Sequence, residues 1–167
     1  MRAVSLIDSS ATTDNRGSFL KILRHEDLTR APEFDLEEVF LTTSHKGTIR
    51  GMHLQVGRAA NWRFIQVLQG QAFDVLLDLR REEKTFLRTQ INFLSSENPQ
   101  TLVVPPGVAH GFQAVTDVHI LYLTSHQYNP ALDKGVNPFT IGVKWPLEIT
   151  SISQRDLDLP SLKDFSE

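Results

Sequence analysis

The residues most able to do chemistry sit in one short run, Arg50-Gly51-Met52-His53-Leu54-Gln55, behind a Lys46-Gly47 turn. Histidine takes up and releases a proton near neutral pH, and arginine grips anions with a planar fork of donors. If the run is extended, neighbouring side chains point to opposite faces. His53 and Gln55 then share a face, Gly51 leaves open space beside them, and Arg50 is near enough in sequence to hold an anion. A histidine beside a bare glycine, with a cation at hand, reads as a site rather than as packing. A second run, Val104-Pro105-Pro106-Gly107-Val108-Ala109-His110-Gly111-Phe112, sets a Pro-x-Gly turn ahead of a strand that carries another histidine. Taken alone, a histidine in such a strand is as readily an interior hydrogen-bonding residue, since buried polar groups are nearly always paired.

Strands must position both runs. Arg63 to Leu68 breaks at Gln69-Gly70-Gln71 and resumes as Ala72 to Asp78, where Phe73, Val75 and Leu77 alternate with Asp74, Leu76 and Asp78. That period of two marks a strand. Further strands are expected at residues 4–7, 18–23, 37–44, 89–94, 101–104 and 118–124, with a turn at Asp14-Asn15-Arg16-Gly17 and a short helix or loop at 24–30. Breaks recur about every 8–12 residues, the spacing of an all-β sandwich or barrel. From Asn129 onward the chain is rich in Pro, Asp and Ser and is expected to wrap the finished barrel.

Composition narrows the function. The 167 residues suit one domain spanning 1–167, large enough to bury a core unaided. There is no cysteine, which excludes disulfides and thiolate chemistry. A net charge of −3 argues against a general nucleic-acid binder. No apolar run approaches the roughly 20 residues of a membrane helix. The opening Met1-Arg2-Ala3-Val4-Ser5 lacks a signal peptide's apolar core, so the cytoplasm is the expected location.

The two histidine runs and the Gly70 break resemble the two-motif pattern of cupins, small jelly-roll β-barrels with an internal ligand site. Many cupins hold a metal on two histidines one residue apart, a following glutamate and the histidine of the second motif. Here Gln55 takes the place of the second histidine, and residues 56–60 contain no acid. His53 and His110 are fewer than the three protein ligands of a catalytic transition-metal site, so no metal or other cofactor is expected.

A closer resemblance covers residues 14 to about 162. Asp14-x-Arg16-Gly17-x-Phe19, Arg50-Gly51-Met52-His53-x-Gln55, Phe73-Asp74-Val75-x-x-Asp78-x-Arg80, Pro105-x-Gly107-x-Ala109-His110-Gly111-Phe112, Tyr128-x-Pro130, Ile141-Gly142-x-x-Trp145-Pro146 and Ser153-x-x-Asp156 occur in this order. Together they resemble the dTDP-4-dehydrorhamnose 3,5-epimerase family of deoxysugar nucleotide synthesis. The resemblance implies a cupin-type sandwich with short helices and a nucleotide-diphosphate sugar substrate. His53 would be the base, Asp156 the group that orients it and Tyr128 the acid. Arg16 and Arg50 would hold the diphosphate, and His110 would contact the sugar or its phosphate. Phe19, Lys21 and Gln55 belong to the same substrate side. The family's enolate-stabilising lysine is Arg63 here, with Asp74 as its orienter or as an unrelated buried ion-pair partner. Lys21 replaces a family acid, and the family's Gln-x-Asn upstream of Arg50 is absent, so the nucleotide base is left open. The resemblance also implies a homodimer, with Arg16, Phe19 and Lys21 serving the partner's site. Rival readings are a 3,4-ketoisomerase, a non-catalytic sugar-nucleotide binder and a metal-dependent dioxygenase.

Overall fold

A computed structural model describes residues 4–9 and 11–166; Met1, Arg2 and Ala3, which open the stretch weighed as a leader, lie outside the described residues. Strands are numbered in chain order. Among the described residues one antiparallel sheet holds β1 (Ser5–Asp8), β4 (Glu38–Ser44), β6 (Arg63–Gln69), β9 (Gln100–Val104) and β11 (Val118–Thr124), in the order β1-β9-β6-β11-β4. A second holds β5 (Ile49–Gln55), β7 (Gln71–Asp78), β8 (Thr89–Ser95), β10 (Val108–Ala114) and β12 (Asp133–Gly135), in the order β12-β5-β10-β7-β8. β2 (Ala11–Asp14) and β3 (Gly17–Leu20) pair only with each other, as an exposed hairpin. The all-β sandwich expected from the spacing of breaks is the one that forms.

Both sheets are covered on both faces except along the edge strands β4 and β8, where Val39, Leu41, Ile91 and Phe93 stay exposed. Ile65, Val67, Leu76, Leu102, Phe112 and Ile120 fill the space between the sheets. The outer face of the second sheet offers Met52, Leu54, Phe73, Val75 and Leu77 to the tail residues Val136, Ile141, Val143 and Trp145. The tail therefore wraps the sandwich because a full apolar face awaits it. Ala31, Leu23, Leu28 and Phe34 cover Trp62 and Phe64 on the first sheet. The strand expected at 18–23 ends at Leu20 for that reason: Leu23 serves a core cluster, and a 3₁₀ helix, His25–Arg30, follows.

β7 shows how core and site divide one strand. Its alternation is intact, but the apolar set Phe73, Val75 and Leu77 packs outward against the tail. Asp74 lies on the other face with Ala72 and Leu76, which join the core between the sheets. Polar residues turn inward because that interior contains the cavity described next.

Candidate active site

A cavity of about 600 Å³ opens between the sheets, and His53, Arg50, Arg63, His110, Tyr122 and Tyr128 are on its wall. Strict alternation would put Arg50 and His53 on opposite faces. Instead, His53 pairs with His110 and Arg50 pairs with Phe112, so β5 carries one more residue than β10 over this interval. Such a bulge reverses the facing of everything beyond it. His110 and Phe112 share a face, so their partners His53 and Arg50 do too. The open space expected at Gly51 is corrected: a Cβ there would stand 2.5 Å from the Gly111 Cα, and its φ is +121°. Gly51 lets two backbones meet rather than leaving room for a substrate.

His53 Nε2 is 2.8 Å from Asp156 Oδ1. The other oxygen, Oδ2, accepts from the Gly51 N–H at 3.1 Å. The tail brings Asp156 there by stages. Gln113, fully buried, clamps the Leu147 backbone through both its amide atoms. Thr48 then bridges to Ser151, and Ser153 caps the short helix α1 (Gln154–Leu157) on which Asp156 sits. Burial alone would raise the pKa of Asp156, but the hydrogen bond and charge of His53, with the Gly51 and Ser153 bonds, hold it below the ordinary carboxylate value. An ionised Asp156 fixes Nε2–H as the donor and leaves Nδ1 as the basic nitrogen.

A second pair lies deeper. His110 Nε2 is 2.5 Å from Asp74 Oδ2, and Asp74 Oδ1 accepts from Asn92 Nδ2 at 3.2 Å. Asp74 is therefore the partner of His110. It neither bonds Arg63 nor borders the cavity, which corrects its expected places as orienter of Arg63 and as substrate ligand. Arg63 is held by carbonyls: Nη1 donates to His53 at 3.2 Å and Nη2 to Val108 at 2.5 Å. Burial lowers its pKa to about 10, so it stays cationic at neutral pH. Arg50 donates to Ser44 Oγ at 2.8 Å and to the Thr43 carbonyl at 3.3 Å.

Two tyrosines reach the cavity. Tyr128 is 56% exposed at the rim, and its hydroxyl donates to Asp133 Oδ2 at 3.1 Å. Arg155 also pairs with Asp133. Gln55, expected on the substrate side, borders the cavity, but its Oε1 accepts from the Asn129 N–H at 3.0 Å and holds the loop that carries Tyr128. Sequence reasoning missed Tyr122. It is 6% exposed, stacks on Phe40 at 4.7 Å and meets His110 edge-on at 5.9 Å. Burial raises its pKa, the charge of Asp74 adds to this, and Arg63 and Arg50 oppose it. Within Val118–Thr124 an aromatic on every-other-residue spacing is indistinguishable from core.

Arg16, Phe19 and Lys21 are not brought to this cavity. They are exposed on or beside the β2–β3 hairpin, where Arg16 pairs with its neighbour Asp14. Among the described residues no group of three or more His, Cys, Asp and Glu side chains is arranged to hold a metal, and no helix is long and apolar enough to cross a membrane.

Fold and site together define a cupin-like β-sandwich with a histidine–carboxylate pair opening on a cavity that Arg50 and Arg63 also line. The chain belongs to the dTDP-4-dehydrorhamnose 3,5-epimerase family, whose description matches residues 1–164. It is 31% identical over 169 residues to the dTDP-4-dehydrorhamnose 3,5-epimerase of Methanothermobacter thermautotrophicus, covering 95% of this chain and 89% of the relative. It is 30% identical to a dTDP-4-dehydro-6-deoxyglucose 3-epimerase of Streptomyces bikiniensis, covering 90% and 80%. The crystal structure of the Bacillus anthracis 3,5-epimerase with TDP and PPi bound superposes with a TM-score of 0.87 at 32% identity, covering 95% and 94%.

Proposed function

We propose that this protein is an isomerase that epimerises a nucleotide-diphosphate-activated 4-keto-6-deoxyhexose at C3, C5 or both. The observation that carries the reading is the His53–Asp156 pair facing a cavity walled by Arg50 and Arg63. A C–H bond beside a ketone is acidic because the electron pair left behind delocalises onto oxygen. His53 Nδ1 takes that proton, and Asp156 steadies the imidazolium that results. The enolate forms next to the charge of Arg63, which acts from its fixed seat on two carbonyls and carries no proton itself. A tyrosine returns a proton to the opposite face of the carbon, and solvent resets both groups.

Tyr128 and Tyr122 compete for that last role. Tyr128 directs its hydroxyl hydrogen bond to Asp133 and stands exposed at the rim. Tyr122 is enclosed and lies on the sheet opposite the histidines, edge-on to His110. These observations favour Tyr122 as the acid, with Tyr128 closing the rim over the sugar. Arg50 and His110 hold the diphosphate end.

The exposed hairpin fits a homodimer in which Arg16, Phe19 and Lys21 complete the partner's site, and a one-domain enzyme of this class works in the cytoplasm. Incubation with dTDP-4-keto-6-deoxyglucose in deuterated water tests the activity. Deuterium is expected at C3, at C5 or at both, read by NMR and mass spectrometry. No exchange with dTDP-, UDP- or GDP-linked keto sugars would reject it, and migration of the ketone would identify a ketoisomerase instead.

A further inference from the structure

The buried pair His110–Asp74 is the middle of a longer chain. Gln90 Nε2 donates to Asn92 Oδ1 at 3.0 Å, Asn92 Nδ2 donates to Asp74 Oδ1 at 3.2 Å, and Asp74 Oδ2 meets His110 Nε2 at 2.5 Å. Asp74 and Asn92 lie opposite each other on β7 and β8, so the link is made by register. The chain begins on the wall of the large cavity at His110 and ends at Gln90, on the wall of a second cavity of about 440 Å³ that also meets Asp78, Arg80 and Arg88.

We infer that Asn92 is a positioning residue for the reaction: it fixes one oxygen of Asp74 so that the other holds His110 in a single orientation toward the substrate. The physical need is specific. A carboxylate this deep is tolerated only with its oxygens bonded. His110 satisfies one and Asn92 the other. Asn92 itself is 7% exposed, and both of its amide atoms are used in the chain. Loss of its donor leaves Asp74 Oδ1 without that partner, so the carboxylate is free to turn. The ring of His110 then loses the fixed acceptor that orients it. Asp74 from β7 bonds that ring, Tyr122 from β11 meets it edge-on, Phe112 lies beside it on β10, and His53 is its register partner on β5. Asp74 is the carboxylate among them, so its placement sets which ring nitrogen of His110 is held.

The inference rests on the epimerase reading only for its kinetic arm. Nuclear magnetic resonance of the histidine-labelled full chain tests it without substrate. The wild type is expected to show a strongly deshielded ring proton from the His110–Asp74 bond, assigned by its loss in Asp74→Asn. Asn92→Leu is expected to move or broaden that signal, with the circular dichroism spectrum retained. With the keto-sugar nucleotide, KM is expected to rise about tenfold and kcat to change less. Should Asn92→Leu fail to fold, Asn92→Ser carries the same comparison. A variant that merely melts earlier, with the His110 signal and KM unmoved, makes Asn92 a packing residue and overturns the inference. Absence of turnover in the wild type, with the signal behaving as expected, rejects the epimerase reading and leaves the positioning role standing.

Discussion

Two histidine–aspartate pairs face one cavity, and they are built in opposite ways. His110 and Asp74 are side by side on adjacent strands, with side chains 5% and 1% exposed. His53 and Asp156 are 103 positions apart, joined by a wrapping tail, and the His53 side chain is 27% exposed. The first pair is closed on itself and anchored by Asn92. The second leaves one imidazole nitrogen toward the cavity and depends on a tail that must dock correctly. A rigid pair suits holding a substrate. An open pair with an ionised partner suits taking its proton.

That contrast can be broken experimentally. The largest effect is expected from His53→Ala, which should lower turnover by roughly 10³-fold or more while leaving the melting curve nearly unchanged. Deuterium wash-in is the measurement, and near-normal exchange would remove His53 as base. Asp156→Asn should lower kcat by about 10²–10⁴-fold, because the imidazole loses its fixed tautomer. It should also change acid stability. The carboxyl of Asp156 is held below its unfolded value, so its contribution is complete above the ordinary carboxylate pKa and disappears as pH falls through the lower folded value. Melting curves taken downward from about pH 5 should therefore fall less steeply in the variant.

The tyrosines come next. Tyr122→Phe should reduce kcat by about 10²–10³-fold and Tyr128→Phe by about tenfold or less, by steady-state assay. The reverse order would return the acid role to Tyr128. His110→Gln should act mainly on KM, raising it about tenfold, as expected of a group that holds the substrate equally before and during reaction. Arg16→Ala should have the smallest effect on a single chain, in which Arg16 does not reach the cavity. Mixing it with a His53→Ala chain should restore activity if the hairpin serves a partner's site.

Sequence made some of this legible and hid the rest for identifiable reasons. His53 and His110 stand beside glycines in strand-like runs, so they could be picked out one at a time. Asp156 could be tied to His53 only through the order of family motifs, because no local spacing links a strand to a tail so far along the chain. Asp74 was visible as an acid on a strand, either an orienter of Arg63 or a buried ion-pair partner; which partner it takes depends on the register of β10 against β7, which alternation does not reveal. Tyr122 went unseen because an enclosed phenol on a cavity wall and a core aromatic share the same pattern. The hairpin residues were legible as a motif, yet within one chain they touch nothing in the cavity.

The bulge in β5 has one more consequence. The strand must present apolar residues to the tail on one side and polar residues to the cavity on the other, and a perfect repeat cannot put both Arg50 and His53 on the cavity side. One surplus residue beside Gly51 shifts the phase between them. Deleting Met52 would thus do more than shorten the strand. It would bring β5 back into step with β10, with Arg50 and His53 two apart and still on the cavity side, but it would remove the fully buried side chain and the two backbone hydrogen bonds by which Met52 holds the tail at Val136. The candidate site is thus an out-of-step interval in an otherwise regular sheet, and the two glycines where β5 and β10 touch keep the sheet closed around it.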